Sequence, residues 1–389
     1  MTMAESPARR LRLGMVGGGT GSLIGDSHRI ATRLDERYEL VAGALDIDPE
    51  RGKRFAATLG IAPDRAYDDY RQMIEREQAR PDGCDLVTVA TPNNTHFEIA
   101  HALVQGGFNV LCEKPLTTRV EDAFALAKAV RDRDVVFAVM YGYTGYPLVR
   151  EARAMVAAGE LGAVRVVQTE FLHGFMAGPS GQSGAQGGVW RLDPSIQGRS
   201  FALADVGTHA LFLASFIIGQ QVAEVAADLH RFVPGRELDD NAHVLMRFDG
   251  GAKGMLWASG VAAGVTHGHR IRVFGERGGL EWHQSRPNEL IYLPQNGRPQ
   301  VIERDAPGLS AASRFRSRIS AGHPGGYFEA WANVYSDVAD AIAARIAGKP
   351  ADPLALQFPT VGDGARGVKF VDAALASAQQ GGGWVDARV

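Results

Sequence analysis

Leu11-Arg12-Leu13-Gly14-Met15-Val16-Gly17-Gly18-Gly19-Thr20-Gly21-Ser22-Leu23-Ile24-Gly25 decides the fold. A short apolar run enters a cluster of glycines and then resumes as a helical pattern. A strand, a glycine turn and a helix in succession form a phosphate-binding arrangement. Gly17 and Gly19 permit the tight turn and let a pyrophosphate approach backbone N–H groups, and the helix N-terminus adds favourable partial charge. Ser22 stands where G-x-G-x-x-G has its third glycine. Gly25 serves instead if the turn carries three extra residues.

The context supports a dinucleotide. A second strand, Tyr38 to Leu45, ends at Asp46, a carboxylate suited to the adenosine ribose hydroxyls of NAD and repulsive to a 2′-phosphate. Asp48, followed by Pro49, is the better cap for the next helix, which leaves Asp46 for the ribose. Leu86–Ala90 reads as a buried strand, followed by Thr91-Pro92-Asn93-Asn94-Thr95-His96 and a helix to Gln105. Phe108–Cys112 is another short strand, and Glu113-Lys114-Pro115 follows at once. Thr118 and Glu121 form a capping box for a helix, and Val135–Met140 is the last strand of this half. Strands alternating with helices predict a doubly wound parallel sheet, a Rossmann domain over residues 1–143.

Ligands of such sheets sit beyond the carboxyl ends of the strands, which is where Lys114 lies. Of 41 basic residues only Lys53, Lys114, Lys128, Lys253, Lys349 and Lys369 are lysines. A lysine retained at a strand end in an arginine-rich chain fits a need for a titratable amine.

After Tyr141 the rhythm changes. One helix, Leu148 to Ala158, precedes strands at Val164–Leu172, Val222–Phe232, Ala242–Phe248, Gly254–Ala262, Ile271–Phe274 and Leu290–Leu293. Asp249-Gly250-Gly251 is a hairpin signal. Residues 144–389 therefore read as an α+β domain with a large open, mostly antiparallel sheet. It would bind substrate and pair with copies of itself as a homodimer or homotetramer. Its long helices fall near Tyr327–Ala347 and Gly362–Ala378, and the C-terminal one is free to pack back on the first domain. Gly174–Gly188 reads as a mobile loop. Asp205-Val206-Gly207-Thr208-His209 sets a carboxylate and an imidazole four positions apart, on one face if helical. A carboxylate beside an imidazole raises its basicity, as a proton acceptor near neutral pH requires. The alternative is a helix start with Asp205 as cap and His209 as a packed side chain.

Composition bounds the rest. The chain has 389 residues, 45% of them hydrophobic, and a net charge of −3. Acids and bases nearly balance, so nothing suggests a nucleic-acid footprint or a membrane-surface patch. No segment approaches the ~20 apolar residues of a membrane span, and no His/Cys cluster suggests a metal. Cys84 and Cys112 read as reduced thiols of a cytoplasmic protein.

Taken in order, the glycine turn, Asp46, Thr91–His96, Glu113-Lys114-Pro115 and Asp205-x-Gly207-x-His209 resemble the Gfo/Idh/MocA family (glucose-fructose oxidoreductase, inositol dehydrogenase and rhizopine catabolism). The resemblance spans nearly the whole chain. It implies an NAD-dependent oxidoreductase acting on a sugar CH–OH group, with Lys114, Asp205 and His209 surrounding the oxidised carbon in a cleft between two domains. NAD contacts would come from Gly17, Gly19, Thr20, Gly21 and Ser22, from Asp46, from Thr91, Pro92, Asn93 and His96, and from Glu113 and Lys114. The glycine-turn variant, Trp190-Arg191-x-Asp193-Pro194 and His323-Pro324-Gly325-Gly326-Tyr327 look closest to levoglucosan dehydrogenase and glucoside 3-dehydrogenases. Trp190, Arg191 and His323 are then candidate sugar contacts. Inositol dehydrogenases carry an Asp three residues after this histidine, where Phe212 stands here. Two rivals use the same scaffold: an NAD-holding glycosidase that oxidises transiently, and a non-catalytic sugar or dinucleotide sensor.

Overall fold

Five parallel strands make the first sheet of the computed structural model, which describes residues 9–178 and 189–389. The chain runs β1 (Leu11–Gly17), α1 (Leu23–Leu34), β2 (Tyr38–Ala44), α2 (Pro49–Thr58), α3 (Tyr70–Gln78), β3 (Leu86–Ala90), α4 (His96–Gln105), β4 (Asn109–Cys112), α5 (Val120–Arg133) and β5 (Phe137–Val139). The strand order is β2-β1-β3-β4-β5, with every neighbouring pair parallel. β3 is buried along its whole length, as its mostly apolar composition fits in a parallel sheet covered on both faces. The order reverses between β1 and β3, so the crevice beyond their carboxyl ends is the expected ligand position.

The second sheet has nine strands. Its elements are α6 (Pro147–Ala157), β6 (Val164–Leu172), α7 (Pro194–Gln197), α8 (Thr208–Ile218), β7 (Val222–His230), β8 (Asn241–Phe248), β9 (Lys253–Ser259), β10 (Gly268–Gly275), β11 (Gly278–His283), β12 (Glu289–Pro294), β13 (Gln300–Glu303), α9 (Ala311–Arg314), α10 (Tyr327–Ile346), α11 (Val361–Gln379) and β14 (Val385–Asp386). The order is β13-β12-β11-β10-β6-β9-β8-β7-β14. All pairs are antiparallel except β6 with β9. The hairpin expected at Asp249–Gly251 joins β8 to β9, with Gly251 at φ 94°. α8 is apolar and buried on every side, and Thr169 of β6 hydrogen-bonds to the Ala210 carbonyl on it. The opposite face of the sheet keeps Val166, Leu245, Met255 and Trp257 exposed on neighbouring strands.

The chain groups into two units that one cut in sequence does not separate. The first holds Met1–Thr117, Glu121–Met140 and Trp331–Gly362, and the second holds Thr118–Val120, Tyr141–Ala330 and Asp363–Val389. α10 from Trp331 onward thus belongs with the parallel sheet, whereas most of α11 belongs with the second unit. The reason is specific burial: Trp331 and Tyr335 pack edge-on against His28 of α1. Residues 179–188 of the Gly/Ser/Gln-rich stretch read as a loop lie outside the described residues. Among the described residues no helix is long and apolar enough to cross a membrane, and no group of three or more His, Cys, Asp or Glu side chains is gathered to hold a metal ion.

Candidate active site

The glycine turn is a cradle that side chains would fill. A Cβ on Gly17 would stand 2.6 Å from the Ala90 carbonyl oxygen, and one on Gly19 would stand 2.4 Å from that of Leu45. Gly17, Gly18 and Gly21 adopt positive φ, which favours glycine. Gly25 takes the third glycine's part, since a Cβ there would meet the Gly18 oxygen at 2.4 Å. The close packing of α1 on β1 depends on it. Ser22 is the N-cap, its hydroxyl accepting from Gly25 N–H at 3.1 Å. Thr20 and Gly21 are exposed at the tip of the turn. Arg29 donates to the Gly18 carbonyl at 2.5 Å and fixes the turn from within α1. This backbone, open at its glycines and aimed at a helix N-terminus, fits the pyrophosphate of a dinucleotide.

Asp46 ends β2 beside this turn. Its carboxylate lies 3.2 Å from the position of a Gly19 Cβ. Asp48 caps α2 and Pro49 takes the first helical position, so Asp46 is not the cap. It is not unpaired either. Arg51 grips it with Nε at 2.6 Å and Nη2 at 2.5 Å, and those hydrogen bonds hold the carboxyl below its usual range. The sequence places no arginine directly after Asp46. One helical turn carries Arg51 back onto it.

Beyond β3, Asn93 is buried, Thr91 is partly buried and Pro92 is exposed. His96 is fully buried, with Nδ1 2.8 Å from the Pro115 carbonyl and Nε2 2.9 Å from that of Thr91. Burial lowers its pKa, and each neutral tautomer donates to one of these carbonyls. Its ring therefore braces the β3 loop against the Lys114-Pro115 turn, whose peptide bond is cis. Glu113 also turns inward. It is 5% exposed, and its carboxylate accepts from His28 and from the Lys114 N–H. Lys114 itself is partly buried.

In the second unit, Asp205 lies in a π-helical turn, Leu203–Gly207, that runs directly into α8 and His209. Such turns widen the helix and recur at functional sites. The turn is anchored by Asp239, which accepts from Ser200 Oγ, Phe201 N–H, Ala202 N–H and Leu203 N–H at 3.0–3.4 Å. Arg191 approaches Asp205 at 3.5 Å and stacks its guanidinium 4.5 Å above the Trp190 ring. Trp190, Arg191 and Asp205 are thus one cluster. His323 is exposed, with Nδ1 3.4 Å from Ser320 Oγ, and none of its contacts among the described residues is with that cluster. Tyr327 of the same motif packs against Tyr143 instead.

His209 is buried in aromatic rings that the sequence did not announce. Tyr141 and Tyr143 meet it edge-on at 5.5 and 4.9 Å between centroids, and Phe171 lies at 5.8 Å. Behind them His269 stacks on Phe171 at 4.6 Å. Tyr141, Tyr143 and Tyr146 crowd the start of the second domain, and that density of aromatics was the available signal.

Two family profiles match the chain. One, the oxidoreductase family with an NAD-binding Rossmann fold, covers residues 11–141, and the other, the GFO/IDH/MocA C-terminal domain, covers residues 149–281. An uncharacterised oxidoreductase, YfiI, of Bacillus subtilis is 38% identical over 382 residues, 97% of each chain. The crystal structure of an inositol dehydrogenase homologue from Azotobacter vinelandii complexed with NAD+ superposes with a TM-score of 0.93. It shares 43% identity over 99% of this chain and 100% of that one. Levoglucosan dehydrogenase of Pseudarthrobacter phenanthrenivorans is 28% identical over 72% of this chain and 76% of its own length. With an NAD-type cradle built at its N-terminus and both family domains in place, the chain belongs to the Gfo/Idh/MocA family of NAD-binding oxidoreductases.

Proposed function

We propose that the chain oxidises a secondary ring hydroxyl of a pyranose-type sugar, such as an anhydrosugar or a glucoside, to a ketone. The carrying observation is the single π-bulged turn that presents Asp205 and His209 together, with Trp190 and Arg191 against Asp205. An aromatic face and a forked donor suit a hydroxylated ring. Bound NAD, held by the glycine turn with Asp46 at its ribose, supplies the hydride acceptor. His209 takes the proton of the reacting hydroxyl. Asp205 orients the imidazole and contacts a neighbouring hydroxyl. Lys114 hydrogen-bonds the reacting oxygen and stabilises the negative charge that develops there. The exposed apolar face of the nine-stranded sheet joins copies of the chain.

A cyclitol is the second reading. It is favoured by a second crystal structure of an A. vinelandii inositol dehydrogenase homologue, 42% identical with a TM-score of 0.91, in complex with NADH and myo-inositol. Anhydrosugars, glucosides, inositols and free hexoses are assayed for NADH formation by absorbance. Accumulating NADH supports a dehydrogenase. Cleavage of a glucoside without NADH supports the transient-oxidation glycosidase, and binding without turnover supports a sensor. With the best substrate, Lys114→Ala and Lys114→Arg should each lower kcat by ~10²–10⁴. An Arg variant within about a factor of ten of the parent leaves Lys114 only its charge.

A further inference from the structure

We propose that His28 and Tyr335 are positioning residues for Lys114, acting through the carboxylate of Glu113. This rests on the reading that Lys114 serves the reacting oxygen. The four side chains involved are buried: His28 and Thr88 are 0% exposed, Tyr335 1% and Glu113 5%. They form one line of hydrogen bonds. Thr88 Oγ1 lies 2.9 Å from Tyr335 Oη, which lies 2.8 Å from His28 Nδ1. His28 Nε2 lies 3.1 Å from Glu113 Oε1, and Glu113 Oε2 accepts the backbone N–H of Lys114 at 3.0 Å.

The protons can be assigned. An ionised carboxylate only accepts, so Nε2 of His28 carries a hydrogen whether the ring is neutral or charged. With a neutral ring, Nδ1 accepts from Tyr335 O–H, and Tyr335 accepts from Thr88 O–H. No donor faces a donor. Burial by itself would raise the Glu113 carboxyl, but the hydrogen bond from His28, together with the charge and backbone N–H of Lys114, holds the group below its ordinary range. The other titratable neighbours are Cys112, His96, Tyr335 and Lys114.

The line joins four elements. His28 stands on α1, the helix that begins at the glycine turn, Thr88 on β3, and Tyr335 on α10. Glu113 follows β4 and fixes the peptide from which the Lys114 side chain springs. The seat of the pyrophosphate and the origin of the Lys114 side chain are thereby set by the same buried carboxylate. A free turn would let the ammonium wander, and misplacement by about 1 Å costs catalysis steeply.

The test uses the full chain with NAD and its best sugar substrate. His28→Leu should lower kcat by roughly tenfold or more while the NAD Kd, read by fluorescence, stays within about threefold of the parent. Without its donor Glu113 should titrate higher, so the acid limb of the kcat profile should move to higher pH. His28→Gln, whose amide N–H reaches toward the place of Nε2, should restore most of kcat and return the limb. Tyr335→Phe keeps the ring packing and should shift both readouts the same way by less, which preserves the test if His28→Leu does not fold. Parental kcat and an unmoved limb in His28→Leu would overturn the proposal. So would Gln failing to rescue while NAD binding and thermal stability fall together. Lys114→Ala runs alongside. If it retains kcat, the Lys114 reading itself fails. If it loses kcat while His28→Leu does not, only the positioning role fails.

Discussion

His269→Phe should stabilise the protein, and more so in acid. His269 is 0% exposed, and neither ring nitrogen has a hydrogen-bond partner among the described residues. Its neighbours are rings: Phe171 stacked at 4.6 Å, Tyr143 edge-on at 4.6 Å and Trp282 edge-on at 6.1 Å. Burial, with smaller effects from His267 and His283, lowers its pKa from 6.5 to about 3. For a base with a depressed folded pKa the unfolded chain binds the extra proton. The stabilisation is therefore complete above pH 6.5 and is lost as pH falls from there toward 3. At pH 5, 1.5 units below the unfolded value, the loss is about 2 kcal/mol. Phenylalanine keeps the stack and cannot be protonated. It also removes a buried unpaired N–H, which costs about 1–3 kcal/mol at any pH. Urea unfolding of parent and variant, followed by tryptophan fluorescence at pH 7 and pH 5, measures both effects. The variant's advantage should widen by about 2 kcal/mol between the two pH values. An advantage that does not change with pH, or a variant less stable than the parent at pH 7, would refute the reasoning.

Asp46→Ala should weaken NAD binding by roughly 10- to 150-fold, the worth of a charged hydrogen bond of about 1.5–3 kcal/mol. It should also improve use of NADP, because Arg51 is released toward a 2′-phosphate. Steady-state kinetics with both cofactors decides, and unchanged NAD affinity would place the ribose elsewhere. Asp239→Ala strands the Phe201 N–H and the Ser200 hydroxyl, while the Ala202 and Leu203 N–H groups fall back on the Asp239 carbonyl and Ser200 Oγ, so urea unfolding should show a loss of about 3 kcal/mol, with Asp239→Asn losing less. Leu245→Lys places a charge among Val166, Met255 and Trp257 on the open sheet face. If copies of the chain join through this face as proposed, sedimentation should then show smaller assemblies than the parent, and an unchanged sedimentation coefficient would refute that role for this sheet.

What the sequence determined by itself is what short-range chemistry governs. The strand entering glycines at Gly17, the Asp48-Pro49 cap, the turn at Asp249–Gly251, the mostly apolar run of β3 and the alternation of β6 each carry their signal within a few residues. Backbone sterics and periodicity act at that range. The order of motifs also sufficed for the family and for Lys114, Asp205 and His209 as candidates. The sequence missed β11 and β13, whose half-exposed or short patterns are set by partners across the sheet. It named Glu113 and His96 as candidate cofactor contacts but could not show that folding turns both side chains inward, His96 toward the Thr91 and Pro115 carbonyls and Glu113 toward His28. The ring cage around His209 and the line from Thr88 to Glu113 were decided only by tertiary structure. Tyr335 lies 307 residues from His28, and a hydrogen bond between them leaves no periodic trace in either segment. Which buried polar groups find partners depends on which elements the fold brings together, and that is a property of the whole chain.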